Sequence, residues 1–194
     1  MQLRTARLLL RPFRPEDEEA LFQLWNDPQV RRYLWDDQPV ARELVREQIA
    51  LSEQDFRARG LGEFCLFLSE RPEALIGFCG LRGIDEGTDI EVLYGLRPEF
   101  WGRGLATEAA QAVLRFGFEQ VGLEEIFAGA DFENAASVRC MERLGMSYEG
   151  ERRVGPEALP ARYYRLRRRD FAPQYERLKA PEGSAEDGSG PLHA

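Results

Sequence analysis

The stretch Arg97-Pro98-Glu99-Phe100-Trp101-Gly102-Arg103-Gly104-Leu105-Ala106-Thr107-Glu108-Ala109 reads as a strand giving way to a helix through two glycines. Ahead of it, Asp89 to Leu96 has the composition of a strand. Behind it, Gly102 to Val121 sets Leu105, Ala109, Ala112, Val113 and Phe116 on one face of a predicted helix. Lacking Cβ atoms, Gly102 and Gly104 let a ligand approach the main chain. The free N–H groups of the first helical turn, with the helix dipole behind them, then form an anion site that a pyrophosphate would fit. Glycines at such a turn also serve simply to turn the chain, so neighbouring residues must discriminate. No Gly-Lys-Ser/Thr follows, which excludes a Walker loop, and Thr107 stands where a dinucleotide fingerprint has its third glycine. Glu124 and Glu125 lie at a ribose-binding distance, which keeps a dinucleotide-dependent enzyme as an alternative.

On the N-terminal side, Arg7 to Phe13 reads as a strand, and Arg14-Pro15-Glu16-Asp17 opens a helix that ends at Asn26-Asp27-Pro28. A second helix is expected from about Val40 to Arg59, with Leu44, Ile49, Leu51 and Phe56 on its apolar face and Gly60 as its stop. Glu63 to Ser69 and Ala74 to Leu81 form a predicted hairpin. On the C-terminal side come a strand from Glu125 to Ala130 and a helix capped by Asn134 and running to Leu144. Strands at about Met146 to Arg153 and Arg162 to Arg169 complete the pattern. Strands in a run, followed by alternating strands and helices, predict an α/β fold in the broad sense, a mixed sheet with helices on its faces.

With 194 residues, of which 43% are hydrophobic, the chain suits one domain, expected over residues 1–179. From Ala180 to Ala194 the composition turns to Pro, Gly, Ser, Ala, Glu and Asp without aromatics, which predicts a disordered acidic tail. A net charge of −8 argues against a nucleic-acid partner and favours a cationic one. No apolar run is long enough to cross a membrane and none reads as a signal peptide, so a cytoplasmic location is expected. Cys65, Cys79 and Cys140 are too dispersed for a zinc site and are expected as buried thiols, with no metal. The single histidine, His193, lies in the tail, which leaves Ser-His-Asp and Cys-His chemistry without a base.

The central stretch resembles the acyl-CoA motif of the GNAT superfamily, in its RimJ/RimL-like branch. Tyr94, Pro98, Trp101, Gly102, Gly104, Ala106, Thr107, Glu108 and Ala109 stand in register with that motif. Downstream, Asn134, Ser137, Glu142, Leu144 and Gly145 match a second one. Leu8-Leu9-Leu10-Arg11-Pro12 and Trp25-Asn26-Asp27-Pro28 are similar to the branch as well, and the likeness extends to about Phe171. Trp101 stands where the general superfamily has Gln or Arg, and Met146 where the branch has phenylalanine. The resemblance implies a GNAT fold, with a central, mostly antiparallel sheet and helices on both faces. It also implies acetyl-CoA as cosubstrate and transfer of the acetyl group to an amine, in a protein that could act as a homodimer.

By the same resemblance, acetyl-CoA would lie against Leu96, Gly102, Arg103, Gly104, Leu105, Ala106, Thr107 and Asn134, held mostly by main-chain groups. Glu91, on the strand before the loop, would be the general base, with Asp89 as its substitute. Strand alternation also admits Glu91 as a plain face carboxylate opposite Ile90, Val92 and Tyr94. Asn134 and Ser137 have a complete structural explanation as N-cap and third helical residue. The resemblance adds a role for the Ser137 hydroxyl in protonating the thiolate, with Tyr148, Tyr163 or Tyr164 as substitutes. Tyr33, Trp35, Asp36 and Asp37, between the first two helices, offer aromatic and acidic groups to a cationic amine, or else form a solvated loop. Arg165, Arg167, Arg168 and Arg169 either meet an outer phosphate or form a solvated strand face. The acceptor expected is a protein N-terminus or a small amine; a non-catalytic acyl-CoA sensor is the remaining alternative.

Overall fold

Leu8 and Leu10 are fully buried on one side of their strand while Leu9 packs on the other, so this sheet must be covered on both faces. The computed structural model describes residues 1–34, 37–84, 89–154 and 159–171. Among them the strands are β1 (Leu3–Arg4), β2 (Leu8–Pro12), β3 (Glu63–Leu68), β4 (Arg71–Gly83), β5 (Ile90–Leu96), β6 (Glu125–Asp131), β7 (Ser147–Val154) and β8 (Leu159–Arg167). They form one sheet in the order β1-β2-β3-β4-β5-β6-β8-β7, antiparallel at every junction but β5–β6. A dinucleotide-binding fold would need repeated parallel crossovers, and this order has a single parallel junction.

The helices are α1 (Glu18–Asn26), α2 (Pro28–Arg31), α3 (Arg42–Arg59), α4 (Leu105–Phe116) and α5 (Ala135–Arg143). Helix α4 buries Leu105, Ala109, Ala110, Val113, Leu114 and Phe116 in a cluster with Leu81, Val92 and Ile126 of the sheet. The opposite face receives Leu21, Leu24 and Trp25 of α1 and Val45 and Ile49 of α3, packed on Cys65, Phe67 and Phe78. Arg11 of β2 ties the two layers by a two-pronged ion pair with the buried Asp17 just ahead of α1, at 2.7 Å on each arm. All three cysteines are free and buried. No helix among the described residues is long and apolar enough to cross a membrane.

Two sequence expectations are corrected. Helix α4 starts at Leu105 and ends at Phe116, and Gly117–Val121 continues as a wider π turn rather than as α-helix. At Gly117 the backbone lies so close to the sheet that a Cβ would stand 2.9 Å from side-chain carbons of Leu81 and Ile126. In α3 the inward residues are Val45, Ile49 and Ser52, spaced four and three apart, while Leu51 points outward and is 50% exposed. The predicted tail from Ala180 lies outside the described residues.

These faces give different costs for similar truncations. Ile49→Ala should lower the unfolding free energy by about 2–5 kcal/mol. Leu51→Ala should change it by no more than about 0.5 kcal/mol. Urea unfolding of both variants checks this, and equal losses would show that α3 is turned otherwise.

Candidate active site

Strands β5 and β6 are parallel neighbours, yet they share only one residue pair, Glu91 opposite Phe127. Their outer edges are fully used, β5 pairing with β4 from Ile90 to Leu96 and β6 with β8 from Glu125 to Asp131. Past Glu91 the two strands share no further residue pair, which leaves the facing edge of β5 available to a ligand. A cavity of about 390 Å³ opens there. Its wall takes Tyr94, Gly95 and Leu96 from β5, then Trp101, Gly102 and Gly104, then Leu105, Ala106 and Thr107 from the first turn of α4. Asn134, Ser137, Cys140, Arg139 and Arg143 close one side, and Gln29, Val30, Tyr33 and Leu34 the other.

The loop is shaped by left-handed glycines, Gly102 at φ 72° and Gly104 at φ 74°, a backbone that other residues adopt only with strain. The indole Nε1 of Trp101 donates to the Leu96 carbonyl at 2.8 Å, and the Arg97 main chain and guanidinium bond the Ile76 and Leu75 carbonyls, so the loop is anchored to the strand end. Glu108 N–H makes the first bond of α4, to the Gly104 carbonyl, leaving the N–H groups of Leu105, Ala106 and Thr107 free of helical acceptors. These three residues line the cavity, so its loop end offers main-chain donors to an anion. Arg103 departs from expectation: it lies off this wall, with its guanidinium carbon 5.7 Å from the Phe100 ring centre.

Asn134 caps α5 as the sequence implies, its Oδ1 accepting the Ser137 N–H at 3.0 Å. That cap holds the Ser137 hydroxyl 3.1 Å from the Tyr94 hydroxyl, while Thr107 Oγ1 stands 3.3 Å from Cys140 Sγ. Burial pushes the Tyr94 phenol well above its usual pKa, with Cys140 adding to the rise and the Ser137 hydrogen bond opposing it, so Tyr94 stays a neutral donor. Tyr94 is the hydroxyl that sequence reasoning missed as a site residue. Among the tyrosines expected in its place, Tyr148 is exposed, Tyr163 packs with Phe127 and Ala161, and Tyr164 is buried in the main core. The signal was the parity of β5, which puts Tyr94 on the same face as Val92 and Leu96. Arg139 and Arg143 were missed too, although their four-residue spacing after Asn134 places both on one side of α5. Neither is in an ion pair among the described residues.

Glu91 is not brought together with Ser137. It faces the α1–α3 side of the sheet, buried, with Oε1 2.8 Å from the Arg82 Nε on the neighbouring strand. Glu63 of β3 joins this group: burial pushes its carboxyl up to about 7, the Arg82 guanidinium opposes the rise, and Glu91 and Asp55 add to it. Asp89 pairs with Arg152 at 3.3 Å. Of the residues expected around the acceptor, Tyr33 lines the cavity, Asp37 is exposed and pairs with Arg31 at 3.1 Å, and Trp35 and Asp36 lie outside the described residues. Strand β8 ends at Arg167, short of the expected Arg169; Arg165 and Arg167 pair with Glu125 and Glu149, and Arg168 and Arg169, in the helical turn that follows, with Glu124 and Asp170, none of them lining the cavity.

Residues 7–147 match the family model described as an acetyltransferase (GNAT) domain, a span that contains both the glycine loop and the Asn134–Ser137 cap. The chain belongs to the GNAT acetyltransferase family. It is 34% identical over 153 residues to the uncharacterized N-acetyltransferase p20 of Bacillus licheniformis, covering 76% of this chain and 83% of that one. It is 28% identical over 142 residues to the spermidine N(1)-acetyltransferase of Escherichia coli K12, covering 73% and 74%. The structure of RimL, a ribosomal L7/L12 alpha-N-protein acetyltransferase in complex with coenzyme A, shares the fold with a TM-score of 0.72, covering 86% and 98% at 18% identity. The protein is therefore an acetyl-CoA-dependent N-acetyltransferase with the GNAT fold.

The raised Glu63 carboxyl gives this GNAT enzyme a specific pH signature. The folded state holds that proton at pH values where the unfolded chain has released it. The stability it contributes is thus complete below about 4.5 and lost as the pH rises toward about 7. The melting temperature of Glu63→Gln should gain on wild type across that interval and then run parallel to it. Differential scanning fluorimetry at a series of pH values reads this, and parallel profiles throughout would contradict a raised Glu63.

Proposed function

We propose that this GNAT enzyme belongs with the RimJ/RimL-like acetyltransferases and transfers the acetyl group directly to the α-amine of a protein or peptide N-terminus or to a small cationic amine. The observation that carries the reading is the Tyr94–Ser137 hydroxyl pair, 3.1 Å apart, on the same cavity wall as the glycine loop. With the diphosphate on the N–H groups of Leu105 to Thr107, the pantetheine arm would follow the free edge of β5 past Asn134 and bring the thioester to those hydroxyls. Arg139 and Arg143 would meet an outer phosphate.

In this reading the amine nitrogen attacks the acetyl carbonyl carbon and a C–N bond forms. The resulting oxyanion is met by main-chain N–H groups on the free edge of β5, and its collapse breaks the C–S bond. The departing thiolate takes a proton from Ser137 Oγ, which recovers one through Tyr94 or water. The proton lost by the amine travels through water toward Glu91. An α-amine is roughly a tenth neutral at pH 7, against roughly 0.04% for a lysine ε-amine, so it needs less help from a base. That suits a wall whose described polar side chains are hydroxyls, two amides, an indole, a thiol and guanidiniums, with Glu91 behind it in an ion pair. A net charge of −8 favours a cationic acceptor, and the E. coli relative is a spermidine acetyltransferase.

The test is consumption of the acetyl-CoA thioester against peptides with free N-termini, spermidine, and lysine peptides whose α-amine is blocked. Turnover is expected with the first two groups. Turnover confined to the blocked lysine peptides would overturn the acceptor reading. On the acceptor so identified, Glu91→Gln should lower kcat by roughly 10²-fold with the KM for acetyl-CoA unchanged, and Ser137→Ala should lower it less. Full turnover by Glu91→Gln would remove that residue from the mechanism.

A further inference from the structure

The glycine loop is gripped from behind by the N-terminal segment. Thr5 and Leu8 close a tight turn between β1 and β2, the Thr5 main-chain N–H donating to the Leu8 carbonyl at 2.9 Å and the Leu8 N–H to Thr5 Oγ1 at 2.9 Å. This turn delivers Thr5 and Arg7 to Glu108 in the first turn of α4. The Thr5 hydroxyl donates to Glu108 Oε1 at 2.5 Å, and the Arg7 main-chain N–H reaches the same oxygen at 2.9 Å. The Arg7 guanidinium meets Glu108 Oε2 through Nε at 2.7 Å and Nη2 at 2.6 Å, and its remaining arm, Nη1, donates to the Arg103 carbonyl at 2.9 Å. Glu108 belongs to the motif text of the loop, and the sequence reading gave it no task.

The position of that last contact matters. The Arg103 carbonyl and the Gly104 N–H belong to one planar trans peptide and point in opposite directions. Arg7 and Arg103 line a separate cavity of about 320 Å³ on the far side of the loop, with Leu105 shared between it and the main cavity. A carbonyl held toward Arg7 therefore turns the Gly104 N–H toward the main cavity, beside the free N–H groups of α4. Glycines flank this peptide at 102 and 104, both left-handed, so without the tie the segment is free to rotate and must be ordered when an anion binds.

We propose that Arg7 is a positioning residue for acetyl-CoA: with Glu108 and Thr5 it fixes the Arg103–Gly104 peptide so that the loop's donors face the cavity before the diphosphate arrives. This rests on the reading of Gly102 to Thr107 as the diphosphate site. Burial alone would raise the Glu108 carboxyl, but the Thr5 hydroxyl and the Arg7 N–H and guanidinium outweigh it and lower its pKa, which keeps the anchor ionised at neutral pH. Arg7 is half exposed, so the ion pair by itself adds little to global stability.

Calorimetry with acetyl-CoA and steady-state kinetics on the full chain separate the outcomes. Arg7→Ala should raise both the Kd and the KM for acetyl-CoA roughly tenfold, leaving kcat at saturation and the KM for the acceptor near wild type. Its melting temperature should fall by no more than about 2 °C. Glu108→Gln should follow in the same direction, and Arg7→Lys, which keeps the charge but cannot fork between Glu108 and the Arg103 carbonyl, should show most of the alanine effect. Full rescue by lysine would mean that charge near the phosphates matters rather than the tie, and would overturn the proposal. So would an unchanged KM, or a loss confined to kcat. Absence of saturable acetyl-CoA binding in the wild type would instead defeat the reading of the loop, and the tie with it.

Discussion

A parallel junction that holds for one residue pair and then fails is the constraint on which this molecule turns. Main-chain groups inside a sheet need partners, and six of the seven junctions of this sheet supply them by antiparallel pairing. At β5 and β6 the ladder stops after Glu91 and Phe127, and the freed edge is usable only because a cavity stands against it. The helices on either side follow from this. Helix α4 begins where β5 ends, with its free N–H groups at the mouth of the gap, and α5 caps itself with Asn134 so that Ser137 reaches Tyr94 across it. A substrate strand of the right length could then complete the sheet's hydrogen bonding, with its anionic end on α4.

The two sides of β5 divide the chemistry. Toward α4 and α5 stand neutral hydroxyls and a thiol, where burial keeps Tyr94 protonated. On the side of α1 and α3 stand Glu91, Arg82 and Glu63, held together by the Arg82–Glu91 ion pair beside the raised Glu63 carboxyl. In the proposed mechanism the proton donor for the thiolate and the acceptor for the amine proton would stand on opposite faces of the sheet, within four residues of one strand. The N-terminal turn adds a third element, reaching across the sheet edge to set the loop that would hold the diphosphate.

What the sequence made legible was local. The glycine turn, the Asn134 cap, the Gly60 stop and the alternation around Glu91 are each set by residues a few positions apart, and each stands where expected. What it did not make legible depends on register or on distant pairing. The Arg82–Glu91 pair follows from how β4 aligns with β5, and the Arg7–Glu108 tie joins residues 101 apart. Tyr94 was visible in the motif, but its partnership with Ser137 required knowing which face of β5 meets α5. In α3, Leu44, Ile49 and Phe56 pack on the core as expected, Val45 and Ser52 were missed, and Leu51, two residues from Ile49 and roughly 200° around the helix, faces solvent.

The central claim is that acetyl-CoA lies in the gap between β5 and β6 with its diphosphate on the first turn of α4. The most direct measurement is the crystal structure of the protein grown with coenzyme A. The account predicts diphosphate density within hydrogen-bonding distance of the Leu105 to Thr107 N–H groups, with the pantetheine arm along the free edge of β5 and the sulfur beside Ser137. Density for the diphosphate anywhere else, or a pantetheine that leaves the β5 edge unpaired, would contradict it.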